Sequence, residues 1–272
     1  MNEDIDHRLP RVAASSYLNT APLIWSFVHG SQRDAVKLFT DTSPAHCAEM
    51  LERREVDVAL VPVIEYQRIP GIAIIPDVCV GSRSAVRSVV LATKLNNLKK
   101  VRSVALDDSS RTSVALTKII FREFLGCEPR WQTSPPDLKS MLQNADAALI
   151  IGDPAMKISR DEYHVFDLAA MWHEFTGLGF IFAMWMAQTD SLETLQSIDF
   201  VAARDEGLAN LEKIAHDEGQ VGLSENEIRG YLSENIVFSC DDAMLNGLAR
   251  FFDLAQTHRL IQSAKPLRFV DS

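Results

Sequence analysis

The sequence predicts an α/β protein of two lobes joined by a hinge, with a helical C-terminal tail, and three observations carry that prediction. Short β-type runs alternate with helical patterns through most of the first 190 residues, as parallel strands with crossover helices require. The alternation lapses at KLNNLKK, residues Lys94 to Lys100, a polar and basic connection after which a second series begins. From Ser191 onward strands disappear, leaving helices with no sheet of their own that must pack on another's.

In chain order, Arg11 to Tyr17 reads as a first strand, Ala21 to His29 as a helix, Ala35 to Thr40 as a second strand and Ser43 to Arg54 as a second helix. Ser43 followed by Pro44 marks that helix start, with Ser capping and Pro in the first turn. Val56 to Val63 is a nearly unbroken apolar run, as a strand covered on both faces should be. Ile72 to Val78 and Val86 to Thr93 are two more strands. The second series comprises strand Val101 to Leu106, helix Thr112 to Leu125, a short strand at Arg130 to Gln132, helix Pro136 to Gln143, strand Ala147 to Ile151 and strand Phe180 to Met186. Helices follow at Ser224 to Asn235 and Asp242 to Arg259, with Ser224 and Asp241 as caps.

Two βα series with a purely helical tail imply that the second lobe is inserted into the first. Residues 1–92 and 189–272 form lobe 1, and residues 93–188 form lobe 2. This is the layout of type II periplasmic-binding-protein-like folds, in which ligands sit between lobes where loops from both converge. The hinge is expected near Ala92 to Lys94 and near Ala187 to Thr189.

Composition narrows the function. The 27 Lys and Arg against 37 Asp and Glu give a net charge of −10, which repels a polyanion in the absence of a basic stripe, so nucleic acid is not an expected partner. A small anion is still admissible, because helix N-termini and a single Arg bind carboxylates whatever the global sign. The most apolar stretch, Gly177 to Ala187, is about half the roughly 20 residues of a membrane span, and the acidic opening MNEDIDHRLP is unlike a secretory signal. A cytoplasmic protein is expected, monomeric or homodimeric. Cys47, Cys79, Cys127 and Cys240 lack metal-ligand spacing. No dinucleotide, P-loop, nucleophile-elbow or zinc-protease motif occurs, so no metal and no cofactor is expected.

Four polar segments fall at strand ends, where open α/β sheets bind ligands. In SYLNTAPL, Ser15 or Ser16 ends a strand, with Ser16 the candidate site residue, and Asn19 precedes the helix opened by Pro22; Asn19 reads either as a cap or as a group presented to the cleft. In DDSSRTSVAL, Asp107 to Leu116, the residues Ser109, Ser110, Arg111, Thr112 and Ser113 surround a helix start. Backbone N–H groups, the helix dipole and the hydroxyls there converge on one spot, which suits a carboxylate. Arg111 either joins that site or braces the loop. In GSRSAVRSVVL, Ser84 precedes a strand that Ser88 interrupts, so the Ser88 hydroxyl needs a partner or a ligand. The fourth segment comprises LIIGDPAM, with Gly152 and Asp153, and DLAAMWHEFTGLGFIFAMW, with Trp172, Thr176 and Gly177. Its aromatics read as core or as ligand contacts, and Asp153 as a turn or site residue.

Taken together, SYLNTAPL, VDVALVPV, DDSSRTSVAL, LIIGDPAM and WHEFTGLGFIFAMW resemble, in order and spacing, the menaquinone-biosynthesis family of the futalosine route, over about Arg11 to Met186. That family has a chorismate dehydratase branch and a naphthoate-forming synthase branch on one periplasmic-binding-like fold. Ser-Tyr-Leu-Asn with Pro-Leu, and Ser-Ser-Arg-Thr-Ser, look like the dehydratase branch. The resemblance implies a carbon–oxygen lyase that removes water from chorismate to give 3-[(1-carboxyvinyl)oxy]benzoate, with Asn19 and Ser88 catalytic and the other residues named above binding substrate. The competing reading is a non-catalytic binding or sensing module for a small carboxylate on the same fold.

Overall fold

A computed structural model describes residues 8–270. The first lobe starts with β1 (Arg11–Ser15), α1 (Ala21–His29), β2 (Lys37–Asp41), α2 (Pro44–Glu52), β3 (Val58–Pro62) and β4 (Ile72–Ser82). The second follows with β5 (Val89–Thr93), β6 (Ser103–Asp107), α3 (Arg111–Ile119), β7 (Arg130–Ser134), α4 (Leu138–Asn144), β8 (Ala147–Ile151), α5 (Asp153–Met156) and β9 (His164–Asp167). The chain returns through α6 (Leu168–Thr176) and β10 (Phe180–Gln188), and ends in α7 (Phe200–Ala209), α8 (Leu211–Asp217), α9 (Glu225–Gly230) and α10 (Asp242–Thr257).

Two five-stranded sheets result, in the orders β2-β1-β3-β10-β4 and β7-β6-β8-β5-β9. In each, the strands of the βα series run parallel, while the strand that arrives from the other lobe, β10 or β5, lies antiparallel to its neighbours. This pairing corrects the expected hinge. Val89–Thr93 belongs to the second sheet and Phe180–Gln188 to the first, so the chain crosses between sheets at residues 83–88 and 168–179 rather than at Ala92 to Lys94 and Ala187 to Thr189. An apolar run cannot reveal which sheet it joins, so the sequence places Val89–Thr93 in the first lobe and Phe180–Gln188 in the second, the reverse of their pairing.

β3 is buried at every residue, in keeping with its unbroken apolar run. Ser43 accepts from the His46 N–H, Asp241 from the Met244 N–H, and Ser224 forms a capping box with Glu227. The helix read as Thr112 to Leu125 is α3 closed by a π-turn at Ile120–Phe124, and that read as Ser224 to Asn235 is α9 closed by a π-turn at Tyr231–Asn235. In the tail, α7 packs on α1 and β4, whereas α10 touches both β10 and α3 and so spans the two lobes. Among the described residues no helix is long and apolar enough to cross a membrane.

Candidate active site

Strand ends from both sheets meet around one cleft that holds about 60 Å³ of free space, less than the roughly 300–1,000 Å³ of ligand-filled small-molecule sites, so the lobes stand closed on it. From the first lobe come Ser15, Tyr17, Asn19, Thr20, Pro62, Val80 and Phe182, and from the second Val89, Ser110, Thr112, Ser113, Ile151 and Gly152. The floor is apolar and the rim carries hydroxyl and amide groups, a lining suited to a flat ring with polar substituents.

Strand alternation explains which serine of the first segment reaches the cavity. Ser15 points inward and exchanges a hydrogen bond with Thr20 at 3.0 Å, whereas Ser16 is exposed. Asn19 stands in the one-turn helix Leu18–Thr20, in which Tyr17 is the N-cap. Its Oδ1 accepts from Thr20 Oγ1 at 3.4 Å, and it caps no backbone N–H of α1. The cap reading of Asn19 is thus not what the geometry shows.

The N-terminus of α3 opens on the same space. Ser110 is its N-cap, yet its side chain makes no capping bond, so the hydroxyl is available to a ligand. Thr112 accepts from the Ile64 N–H at 3.3 Å, across the cleft. Ser109 does not line the cavity and donates to the Oδ1 of the fully buried Asp107 at 2.6 Å. Arg111 does not point at the cavity. Its guanidinium donates to Glu49 at 2.8 Å and to Glu65 at 3.1 Å, both in the first lobe.

Gly152 has φ +67°, and a Cβ there would lie 2.7 Å from the Tyr17 ring. Only glycine both adopts this backbone and lets the ring close over it. Asp153 does not line the cavity and accepts from the Leu18 N–H at 3.2 Å, a further cross-lobe bond. Burial raises its carboxyl above the usual range, only partly offset by that N–H. Burial does the same to Asp107 against bonds from Ser109 and Ile151. The Tyr17 phenol is also raised, chiefly by burial, and remains a neutral donor.

Ser88 is fully buried and does not itself line the cavity, which the next residue, Val89, does; its Oγ accepts a hydrogen bond from Tyr231 at 2.7 Å. Four expected contacts lie elsewhere. Trp172 is core, its Nε1 donating to the Gly179 carbonyl at 3.1 Å, with Phe124 and Phe180 in edge-type contact with its ring. Thr176 is spent within its own turn, donating to the Trp172 carbonyl at 2.7 Å and accepting from Leu178 N–H. Gly177 ends α6 in the left-handed conformation with nothing within 4 Å of a built Cβ. Ser84 is exposed at the lobe crossing. All four belong to segments whose polarity serves helix ends or the crossing. Of the two serines offered by the first segment it is Ser15 that lines the cavity; sequence reading misses Tyr17, which that segment contains, and Tyr231, for which no local signal exists.

A family model described as menaquinone biosynthesis matches residues 10–257. The chain belongs to that family. Over 209 residues, 70% of the chain and 76% of the relative, it is 30% identical to the chorismate dehydratase of Thermus thermophilus. Among solved structures, protein AF1704 of Archaeoglobus fulgidus superposes with a TM-score of 0.78 over 94% of this chain and all of that one, at 16% identity. The CA3427 gene product of Candida albicans, described as having the generic periplasmic binding protein fold, gives 0.69 over 95% and 92% at 12% identity. These two likenesses are of fold. The architecture is that of a periplasmic-binding-like protein, as the two βα series imply.

Proposed function

We propose that this protein is a chorismate dehydratase that converts chorismate to 3-[(1-carboxyvinyl)oxy]benzoate and water. The observation that carries the proposal is the lining of the cavity. Family membership supplies the substrate class, and the lining supplies what the reaction needs and little else. The ring carbon bearing the enolpyruvyl ether loses its hydrogen, the adjacent carbon loses its hydroxyl, and the ring becomes aromatic. Aromatisation makes the reaction strongly downhill, so the protein has to position the substrate, exclude water and stabilise charge as it moves.

The residues divide that work. Free N–H groups at the start of α3, with Ser110 and Ser113, would hold a substrate carboxylate at the positive end of the helix. Phe182, Val80 and Val89 cover the ring. Asn19 offers both a donor and an acceptor to the ring substituents. Among the described residues lining the cavity there is no carboxylate, His or Lys; Tyr17 is the only ionisable group. Asp107 and Asp153, the nearest acids, are engaged by backbone N–H groups. The base that best fits this lining is the substrate's own enolpyruvyl carboxylate, which the cavity walls would press toward the ring hydrogen, with Asn19 and Ser88 orienting the reacting groups.

Incubation of the purified protein with chorismate, followed by mass spectrometry, tests the proposal. The expected product has lost one water and absorbs as a substituted benzoate. Binding without turnover would favour the non-catalytic carboxylate module instead.

A further inference from the structure

The tail packs on the crossing between the lobes. Tyr231, the first residue of the π-turn that closes α9, is 1% exposed and donates its hydroxyl hydrogen to Ser88 Oγ at 2.7 Å. Four residues on, Asn235 Nδ2 donates to the Ala85 carbonyl at 3.1 Å. Val237 then pairs with Gly81 through two backbone bonds of 2.8 and 2.9 Å. The same crossing is held from the second lobe, where Asp167 accepts from the Val86 and Arg87 N–H groups at 3.2 and 2.6 Å, and Arg87 takes φ +64°. Ser88 is therefore the end of a crossing fixed on both sides, and among the described residues Tyr231 is the side chain that bonds its hydroxyl.

We infer that Tyr231 is a positioning residue for the reaction: by occupying the acceptor side of Ser88 Oγ it leaves the Ser88 hydroxyl hydrogen to point away from the tail, toward the cavity. This inference rests on the proposed dehydratase reading. A buried serine without such a donor has two lone pairs to satisfy and rotates to do so; with it, one rotor is set before substrate arrives. Burial pushes the Tyr231 phenol far up, so it donates at any working pH, and the Asn19 side chain is near enough to offset that rise slightly. The same phenol thus touches Ser88 and lies near Asn19. A π-turn places it there, and such turns recur at functional sites because they re-aim one side chain without ending the helix.

The test is a cycle of Tyr231→Phe, Ser88→Ala and the double variant, with Asn235→Ala as a control that loosens the same clamp without touching the Ser88 hydroxyl. Tyr231→Phe keeps the ring and its packing. It is expected to lower kcat about tenfold, the scale of one buried hydrogen bond, with KM changed less than about threefold and the melting temperature less than Asn235→Ala changes it. The double variant should be no slower than Ser88→Ala, since Tyr231 acts through Ser88. Multiplying effects, an equal loss of kcat in Asn235→Ala, or wild-type turnover in either single variant would overturn the inference. Failure of the wild-type protein to dehydrate chorismate would instead overturn the reading on which it rests.

Discussion

Arg111 and Glu65 meet across the cleft at 3.1 Å, and they join the two lobes at the residue that begins α3. Glu65 is 1% exposed and also accepts from Arg68 at 3.1 Å, while the second arm of Arg111 reaches Glu49. The arginine beside the hydroxyl cluster was read as a ligand for a substrate carboxylate or a brace. The carboxylates it holds are the protein's own. Desolvating Glu65 offsets much of the attraction, so the pairing acts mainly on geometry: it holds the lobes shut around the cavity.

Arg111→Met should therefore open the protein. Glu65 keeps Arg68, and the stability cost is about 1–3 kcal/mol for a lost charge-assisted bond. Solution scattering of the unliganded variant is expected to show a larger radius of gyration, and KM for chorismate should rise more than kcat falls. Scattering and KM identical to wild type would show that the pairing does not govern closure.

Asn19→Ala separates a cap from a catalytic group. A capping Asn would cost about 0.5–2 kcal/mol on removal, but Asn19 caps no N–H, and its side-chain bond from Thr20 is long at 3.4 Å. The expected result is a melting temperature close to wild type with kcat reduced more than about tenfold, because the lost interaction belongs to the transition state. Wild-type kcat in the folded variant would remove Asn19 from the mechanism.

Much of this site is local in the chain, and that part was legible. Asn19, Ser110, Thr112, Ser113 and Gly152 sit in segments where a strand ends and a helix begins, and such junctions line clefts in open sheets. What was not legible is long-range. Tyr231 lies 143 residues from Ser88, and a tyrosine in an amphipathic tail helix carries no mark of its partner. The hinge was displaced because Val89–Thr93 and Phe180–Gln188 are apolar on both faces and suit either sheet; only strand pairing decides. Trp172 and Thr176 were drawn into the candidate site by their neighbours, although a buried aromatic and a helix-end threonine need no ligand to explain them.

Ser110 and Thr112 should behave differently although they are near neighbours in one motif. Ser110 makes no capping bond, so Ser110→Ala is expected to leave stability within about 0.5 kcal/mol of wild type while weakening substrate binding by about 0.5–1.5 kcal/mol, roughly twofold to tenfold in Kd. Thr112 accepts from the Ile64 N–H in the opposite lobe, so Thr112→Ala should also lower the denaturant midpoint. Calorimetric titration with a non-reactive chorismate analogue, alongside urea unfolding, reads both. Unchanged affinity in the folded double variant would take this helix start out of the substrate site.

Asp57 ties the start of β1 to β3, and its titration should be visible in the pH dependence of stability. The carboxylate is 1% exposed and accepts from the Arg11 backbone N–H at 2.8 Å, from Arg11 Nε at 3.2 Å and from Arg8 at 2.9 Å. Burial alone would raise its pKa, but the bonds from Arg11 and the charges of Arg11 and Arg8 outweigh burial and hold it below the usual range. A lowered folded value means that the unfolded chain takes up this proton first as pH falls. The contribution is then complete above about pH 4, the ordinary aspartate value, and is lost as pH falls through the folded one. Asp107 and Asp153 are raised and act in the opposite sense, losing stability as pH rises through the ordinary range, so the total curve does not isolate Asp57. The difference between wild type and Asp57→Asn does, provided the distant acids are unaffected. Urea unfolding from pH 7 to pH 3 should show a wide gap between the two proteins at neutrality that narrows below about pH 4. A gap that stays constant through that window would mean that the carboxyl titrates in the fold as it does in the unfolded chain, and that the arginine contacts do no more than offset its burial.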